Sequence, residues 1–277
     1  FCGTLVDRIV SGYPKDRAEE IQSELDYEDK LLVAGEYYHS WVIQGAQQIQ
    51  KELPFAETDL NVQFVDDLAP YREMKVRILN GAHTAMVPVG YLAVLSLVRE
   101  SMQNNEVGSY VENLLMEEVV KTLDFPDAIK QKFVQEVLDR FRNPLIEHQL
   151  ISISLNGTSK FVTRLLPTLK DYKAKTGSLP VRIVFSLAAL ILFYRGKFNG
   201  KEIELKDDKK VLDFFQDYWQ RVIDGKLTIE ELAQSVLANK SIWGENLNDF
   251  AGMTEMVSKY IIEIEANGVI ATLKNLK

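Results

Sequence analysis

Over most of the chain, apolar residues recur every three or four positions, the spacing of helices that each bury one face. A helix is expected from about Ala69, followed by an apolar one over residues 86–102, in which Pro88 predicts a kink or a fresh start. Val111, Leu114, Leu115, Val119 and Val120 extend the same period through residues 107–123, and Phe125-Pro126-Asp127 punctuates before a helix at 128–141. Asn143-Pro144 reads as a helix start, with asparagine as cap and proline in the first turn, leading to a helix that ends at Asn156-Gly157. Thr158 or Ser159 caps the next helix, which Gly177 closes. Pro180 opens the most apolar run, residues 181–194, and three more helices are expected at 209–223, 229–238 and 254–273.

The period shifts towards β structure only near the beginning. Residues 36–44 (EYYHSWVIQ) and 61–65 (NVQFV) mix aromatic and β-branched residues with polar ones and read as two short strands. His39, beside Trp41, reads as structural. Residues 1–13 (FCGTLVDRIVSGY) are expected to form a buried extended segment, with a charged helix from Pro14 to about Leu25, and residues 198–204 a hairpin or loop. No internal repeat or heptad array is present. The fold expected is mainly α: a multi-helical domain with a small two-stranded β appendage, residues 1–13 serving as a junction and 14–277 as the helical body.

Composition narrows the class. The 277 residues are 46% apolar and 26% charged, an ordinary globular balance with material for a substantial core. A net charge of −8 offers no positive field to nucleic acid or an anionic membrane, so neither partner is expected, and an anionic substrate would need a local basic cluster. Residues 181–194 fall short of the roughly 20 needed to span a bilayer and carry Arg182 and Ser186, so a buried central helix is expected. Cys2 is the sole cysteine, which leaves no disulfide framework or thiolate metal site and fits a reducing, cytoplasmic compartment. The chain opens on Phe1, and the expectation is that it starts mid-protein.

The stretch richest in chemistry is YREMKVRILNGAHTAM, residues 71–86, with Lys75, Asn80 and His83. On a regular helix these three would fall within an arc of about 140° at ~100° per residue, with Lys75 and His83 ~12 Å apart along the axis. Convergence on one carbonyl requires a bend, expected at Asn80-Gly81. The trio suits hydride transfer at a secondary alcohol carbon, where a general base must take the alcohol proton. A lysine serves if its pKa falls from about 10.4 towards 7–8. Arg72, one turn earlier, is a source of positive charge for that, and Arg77 another. Asparagine and histidine then donate to the developing oxyanion, a role that a metal can also fill.

The spacing alone is loose, but EMKVRILNGAHTAM resembles the signature of the polyol-specific long-chain dehydrogenase family, which includes mannitol dehydrogenases and hexuronate-pathway reductases. TLVDRIVSGYP, VQFVDDLAPYREMKVRILNGAHTAMVPVGY, RFRNPLIEHQLISISLNGTSKFVTRLLP and SLAALILFYRG carry the resemblance along nearly the whole chain, most closely to the hexuronate-reducing members. The resemblance implies Lys75 as general base, Asn80 and His83 polarising the substrate oxygen, NAD as cofactor and no metal. It also implies a helical substrate domain that follows an N-terminal Rossmann domain; no G-x-G-x-x-G occurs in these residues. One departure is Gly3, where polyol-oxidising members carry an asparagine that shares the oxyanion hole.

The second motif, from Arg142-Asn143-Pro144 through Lys160 and Arg164, is where the carboxylate and hydroxyls of a sugar acid are expected. Lys160 and Arg164 lie four apart on one helix face, and His148 is expected to share a face with Ser152 and Leu155. Arginine grips a carboxylate in bidentate fashion, and Arg72 is the alternative partner because the mannitol enzymes carry an acidic residue there. Asp7 and Arg8 read as a structural pair at a domain junction or as contacts to the nicotinamide edge. A helical interaction domain without catalysis is the competing class.

Overall fold

A computed structural model describes residues 1–45 and 47–276 of the chain. The fold is mainly helical, as the periodicity predicts, and divides into two compact units. The first comprises residues 1–75 with Asn143–His148; the second comprises residues 76–142 and 149–277. The division falls after Lys75, within the helical run that begins at Ala69.

The first unit holds the sheet. Both expected strands form, as Ser40–Gln44 and Val62–Val65, and they pair in parallel. A parallel pair needs a crossover, which the short helices Gln47–Glu52 and Phe55–Glu57 supply. The appendage has a third strand: Thr4–Asp7 pairs antiparallel with Ser40–Gln44, which becomes central and buries Val42 and Ile43. The opening residues are therefore an edge strand rather than a buried segment, with Val6 at 58% exposure. Val10–Gly12 and Ala34–Gly35 add a short antiparallel ladder. His39 is structural, its Nε2 accepting the Asn61 amide at 3.1 Å. The charged helix is confined to Ala18–Ser23.

Residues 143–149 form no helix. Asn143 Oδ1 accepts the Leu145 amide at 3.0 Å, closing a turn of its own instead of capping a helix. Only Leu150–Ile153 is helical in that stretch, because the Leu150 amide donates to the Ser96 carbonyl at 2.8 Å and Gln149 bridges Leu97.

The second unit is built on the Val181–Phe193 helix, whose residues from Ile183 to Phe193 are all buried. Against it pack the Gly81–Leu92 and Met253–Asn267 helices. Gly81–Leu92 is buried on nearly every side, which an apolar helix without a polar face requires. Pro88 sits inside it without breaking it. The stop comes instead at Val94 (φ 64°), whose amide donates to Tyr91 while the Leu95 amide donates to Gly90. That is a Schellman ending, with valine where glycine is usual. A separate helix, Val98–Gln103, then begins, so the single helix expected over 86–102 is two. Gly90 allows their close approach: a Cβ there would stand 2.6 Å from Ser101 Oγ.

Residues 107–123 are helical in three modes, α over Asn105–Asn113, π over Leu114–Val119 and 3₁₀ over Val120–Thr122. Lys197–Phe198 and Lys201–Glu202 pair as a hairpin. The expected helix at 254–273 is two, split at Gly268 (φ 78°). Among the described residues no helix is long and apolar enough to cross a membrane.

Glu118, in the π segment, caps the central helix. Its buried carboxylate accepts the amides of Arg182 at 2.7 Å and Ile183 at 2.9 Å, donors that the first turn of a helix leaves unsatisfied. Burial outweighs these bonds and pushes the carboxyl from 4.5 up to about 7. The folded state therefore holds a proton that an unfolded glutamate has lost. Stability from this group is fully present below about pH 4.5 and is lost as pH rises through about 7. Glu118→Gln keeps an acceptor oxygen without the charge, and is expected to flatten the fall in melting temperature between about pH 5 and 8. An unchanged pH profile of melting would contradict this.

Candidate active site

The helical run that carries the trio starts at Ala69, whose amide donates to Asp67 Oδ1 at 2.9 Å, and Pro70 suits its first turn. Ala69–Met74 is α-helical, Lys75–Asn80 is π-helical, and Gly81–Leu92 resumes the α form. Asn80 itself keeps ordinary helical angles (φ −73°, ψ −33°), so no bend is centred on Asn80-Gly81. The departure from α geometry lies in the six residues before it, where one extra residue is fitted into the turn. Such π turns interrupt α-helices frequently at functional sites.

Lys75 closes the first unit. Its Nζ donates to the Val6 carbonyl at 2.6 Å, on the strand that ends in Asp7. Asp7 is buried; Arg8 is exposed and donates from Nε to the Glu36 carbonyl at 2.9 Å. Glu36 in turn accepts the Ile9 amide at 2.6 Å, which fixes this corner of the unit. Arg72 is exposed. His148 lies in the 143–148 loop, half-buried, and not on a helix with Ser152 and Leu155 as expected; burial lowers its pKa.

Asn80 and His83 belong to the second unit. The Asn80 carbonyl accepts from Thr84 Oγ1 at 2.9 Å, and Thr84 Oγ1 accepts from Arg164 Nη1 at 3.2 Å. This relay joins the Gly157–Arg164 helix to the helix that carries His83. His83 is buried, its ring tilted by 31° against Phe141 with centroids 4.1 Å apart, which fixes the imidazole plane. Lys160 donates to the Ile153 carbonyl at 2.8 Å and faces a crevice lined by Thr84, Pro88, Ile153 and Ser154. With ≈ 10 Å³ of free space, that crevice holds about one water and no sugar.

Burial lowers the pKa of Lys160, the nearby Arg164 lowers it further, and Asp207 opposes both. Burial also lowers that of Arg164. Two partly desolvated cations four residues apart are what an anion would relieve, and this local basicity stands against the chain's net negative charge. Thr84, immediately after His83 in the quoted stretch, was not singled out from the sequence, because a helical threonine carries no chemical signature.

Other basic residues have structural tasks. Arg77, expected as a second positive neighbour of Lys75, is ion-paired with Asp171 and reaches Thr122 Oγ1 at 3.5 Å. Arg142 pairs with Glu112 and lies 3.7 Å from Asp139. A larger cavity of ≈ 310 Å³, lined by Val94, Arg195, Phe198, Ile264 and Glu265 among others, contains none of the expected site residues. Among the described residues no group of three or more His, Cys, Asp or Glu has the arrangement to hold a metal.

The family model for the mannitol dehydrogenase C-terminal domain matches residues 67–265. An altronate oxidoreductase of Yersinia enterocolitica is 45% identical over 273 residues, covering 99% of this chain and 56% of that protein. One from Enterobacter is 44% identical over 276 residues, with 100% and 57% covered. Among solved structures, the ternary complex of Pseudomonas fluorescens mannitol 2-dehydrogenase with NAD and D-mannitol superposes with a TM-score of 0.83 at 27% identity, over 100% of this chain and 54% of that one. A substrate-free D-sorbitol dehydrogenase shares the fold, with a TM-score of 0.76 at 20% identity over 99% and 54%. The chain spans about half the length of the curated relatives it matches. It belongs to the mannitol dehydrogenase family, as a C-terminal domain of that family.

Proposed function

We propose that this chain is the helical, substrate-binding and catalytic part of an NAD-dependent oxidoreductase that interconverts D-altronate and D-tagaturonate, residues 14–277 forming the body of that part. The observation that carries this reading is identity of about 45% with altronate oxidoreductases along 99% of the chain. A Rossmann domain supplied by the rest of the protein would hold most of the cofactor. A reducing cytoplasm is the compartment proposed.

Asp7 and Arg8 are the residues of this chain assigned to the cofactor edge, and their chemistry fits it. Arg8 is exposed with donor capacity beyond its bond to Glu36, and Asp7 is fixed by burial. NAD, when bound, would supply the acceptor for the hydride of the alcohol carbon. Lys75 takes the alcohol proton, so the C–H electron pair and the O–H proton depart to different acceptors. Asn80 and His83 donate hydrogen bonds to the oxygen as it becomes a carbonyl, and stabilise the oxyanion in the reverse direction. No metal enters this scheme. Lys160, Arg164 and His148 hold the hydroxyls and carboxylate of the sugar acid, with Arg72 as the residue that selects a uronate.

The second reading within the family is a polyol or different sugar-acid substrate, mannitol/fructose or mannonate/fructuronate, favoured by the likeness to the mannitol 2-dehydrogenase complex. In the full-length protein, altronate oxidation with NAD that survives chelators is expected; a chelator-sensitive activity, or none with altronate, would contradict the proposal. Arg72→Glu is expected to lower kcat/KM for the uronate by about 100-fold, the order of a lost carboxylate–arginine pair, while sparing any polyol activity. An equal loss on both substrate types would remove Arg72 from the specificity role.

A further inference from the structure

The Gly157–Arg164 helix bears both Lys160 and Arg164, yet its own sequence does not cap it. Its N-cap residue, Asn156, lies in the left-handed region (φ 54°, ψ 45°) and its side chain caps nothing. Neither Thr158 nor Ser159 does so, contrary to the sequence expectation: both lie inside the helix. The first turn is satisfied from 49 residues further along the chain. Asp207 Oδ2 accepts the Thr158 hydroxyl at 3.0 Å and, more weakly, the Thr158 amide at 3.4 Å. The Asn156 amide donates to the neighbouring Lys206 carbonyl at 2.8 Å.

Tyr194 completes the grip. Its buried hydroxyl donates to the same Asp207 oxygen, and burial with that carboxylate beside it pushes its pKa up, so it stays a donor. The helix start rests directly on this hydroxyl: a Cβ at Gly157 would stand 3.0 Å from Tyr194 Oη and 3.2 Å from Leu190 Cδ1. Tyr194 is the C-cap residue of the central helix, so the grip ties a short surface helix to the core of the unit.

We propose that Asp207, held by Tyr194, is a positioning residue: it fixes the first turn of the Gly157–Arg164 helix, and thereby the placement of Lys160 and Arg164 for a substrate anion. This rests on the reading that those two cations bind the sugar acid. At ~1.5 Å per residue, Lys160 is about 3 Å and Arg164 about 9 Å along the axis from Thr158, so a shift of the first turn carries to both. Arg164 passes that placement on through Thr84 to the Asn80 carbonyl. The Asp207 charge also favours the charged form of the Lys160 amine.

The test uses Asp207→Ala, Asp207→Asn and Tyr194→Phe in the full-length enzyme. Asp207→Ala should raise KM for the sugar acid by about tenfold or more, with kcat within about threefold and KM for NAD unchanged. Asp207→Asn, whose amide oxygen can accept the same bonds, should restore KM to within about threefold, and Tyr194→Phe should fall between. A sugar-acid KM within about twofold of the unmutated value in all three would overturn the proposal, whatever happens to the melting temperature. So would an equal loss in kcat and cofactor KM, which marks general damage. Hydrogen exchange separates this from the assignment of substrate: Asp207→Ala should speed exchange at residues 161–165 and leave the central helix unchanged. If the unmutated enzyme turns over no sugar acid, the functional reading fails, while unaltered exchange would show that the grip itself is absent.

Discussion

Burying the Val181–Phe193 helix on every side obliges other parts of the chain to satisfy the polar groups at its ends. Each large side chain that it removes from water contributes about 1.5–3 kcal/mol, and each unpaired backbone group left inside would cost about 1–3 kcal/mol. Glu118 meets the amides of Arg182 and Ile183, Tyr110 donates to the Arg182 carbonyl at 2.9 Å, and Trp219 Nε1 donates to the Ile191 carbonyl at 3.1 Å. At the far end Tyr194 donates to Asp207 and Arg195 pairs with Glu265. The partners come from five different stretches, so satisfying this one helix organises the second unit. One of them, Asp207, with the helix's own C-cap residue Tyr194, holds the helix bearing Lys160 and Arg164. Core and candidate site therefore share one network.

The proposed chemistry divides along the chain in the same way. Lys75 ends the first unit, where its amine is held against the strand carrying Asp7, while Asn80 and His83 begin the second, fixed by Thr84, Arg164 and Phe141. A π turn occupies the residues between them. In a chain of net charge −8, the half-buried Lys160 and Arg164 form a local basic pair, which under the proposed function would meet an anionic sugar.

Much of the helical body was legible because its determinants are local. Pro180 and an unbroken apolar run define the central helix, Gly177 (φ 76°) ends the helix before it, and both strands of the appendage show their β-branched residues. What stayed hidden depends on residues distant in sequence or on ambiguous side chains. The third strand is set by pairing with residues 40–43, 33 to 39 positions away. Asn143 carries the same signal whether it caps a helix or closes a turn, and tertiary pairing of Gln149 and Leu150 decides for the turn. Val94 breaks a helix with no glycine to announce it, and a π turn inserts one residue without disturbing the apolar pattern. The trio at Lys75, Asn80 and His83 stands out in the sequence as one helical run, but its spacing is too common to carry a role, and the roles expected of it come from the resemblance. Asp207 was invisible because it acts on a helix 49 residues upstream.

That an amine takes the alcohol proton is read most directly from Lys75→Ala in the full-length protein, assayed with altronate and NAD. Turnover should fall by about 10²–10⁴-fold, the usual contribution of a positioned general base, with KM little changed, and added methylamine should restore part of it. Turnover within about threefold of the unmutated enzyme, in a folded variant, would contradict the account.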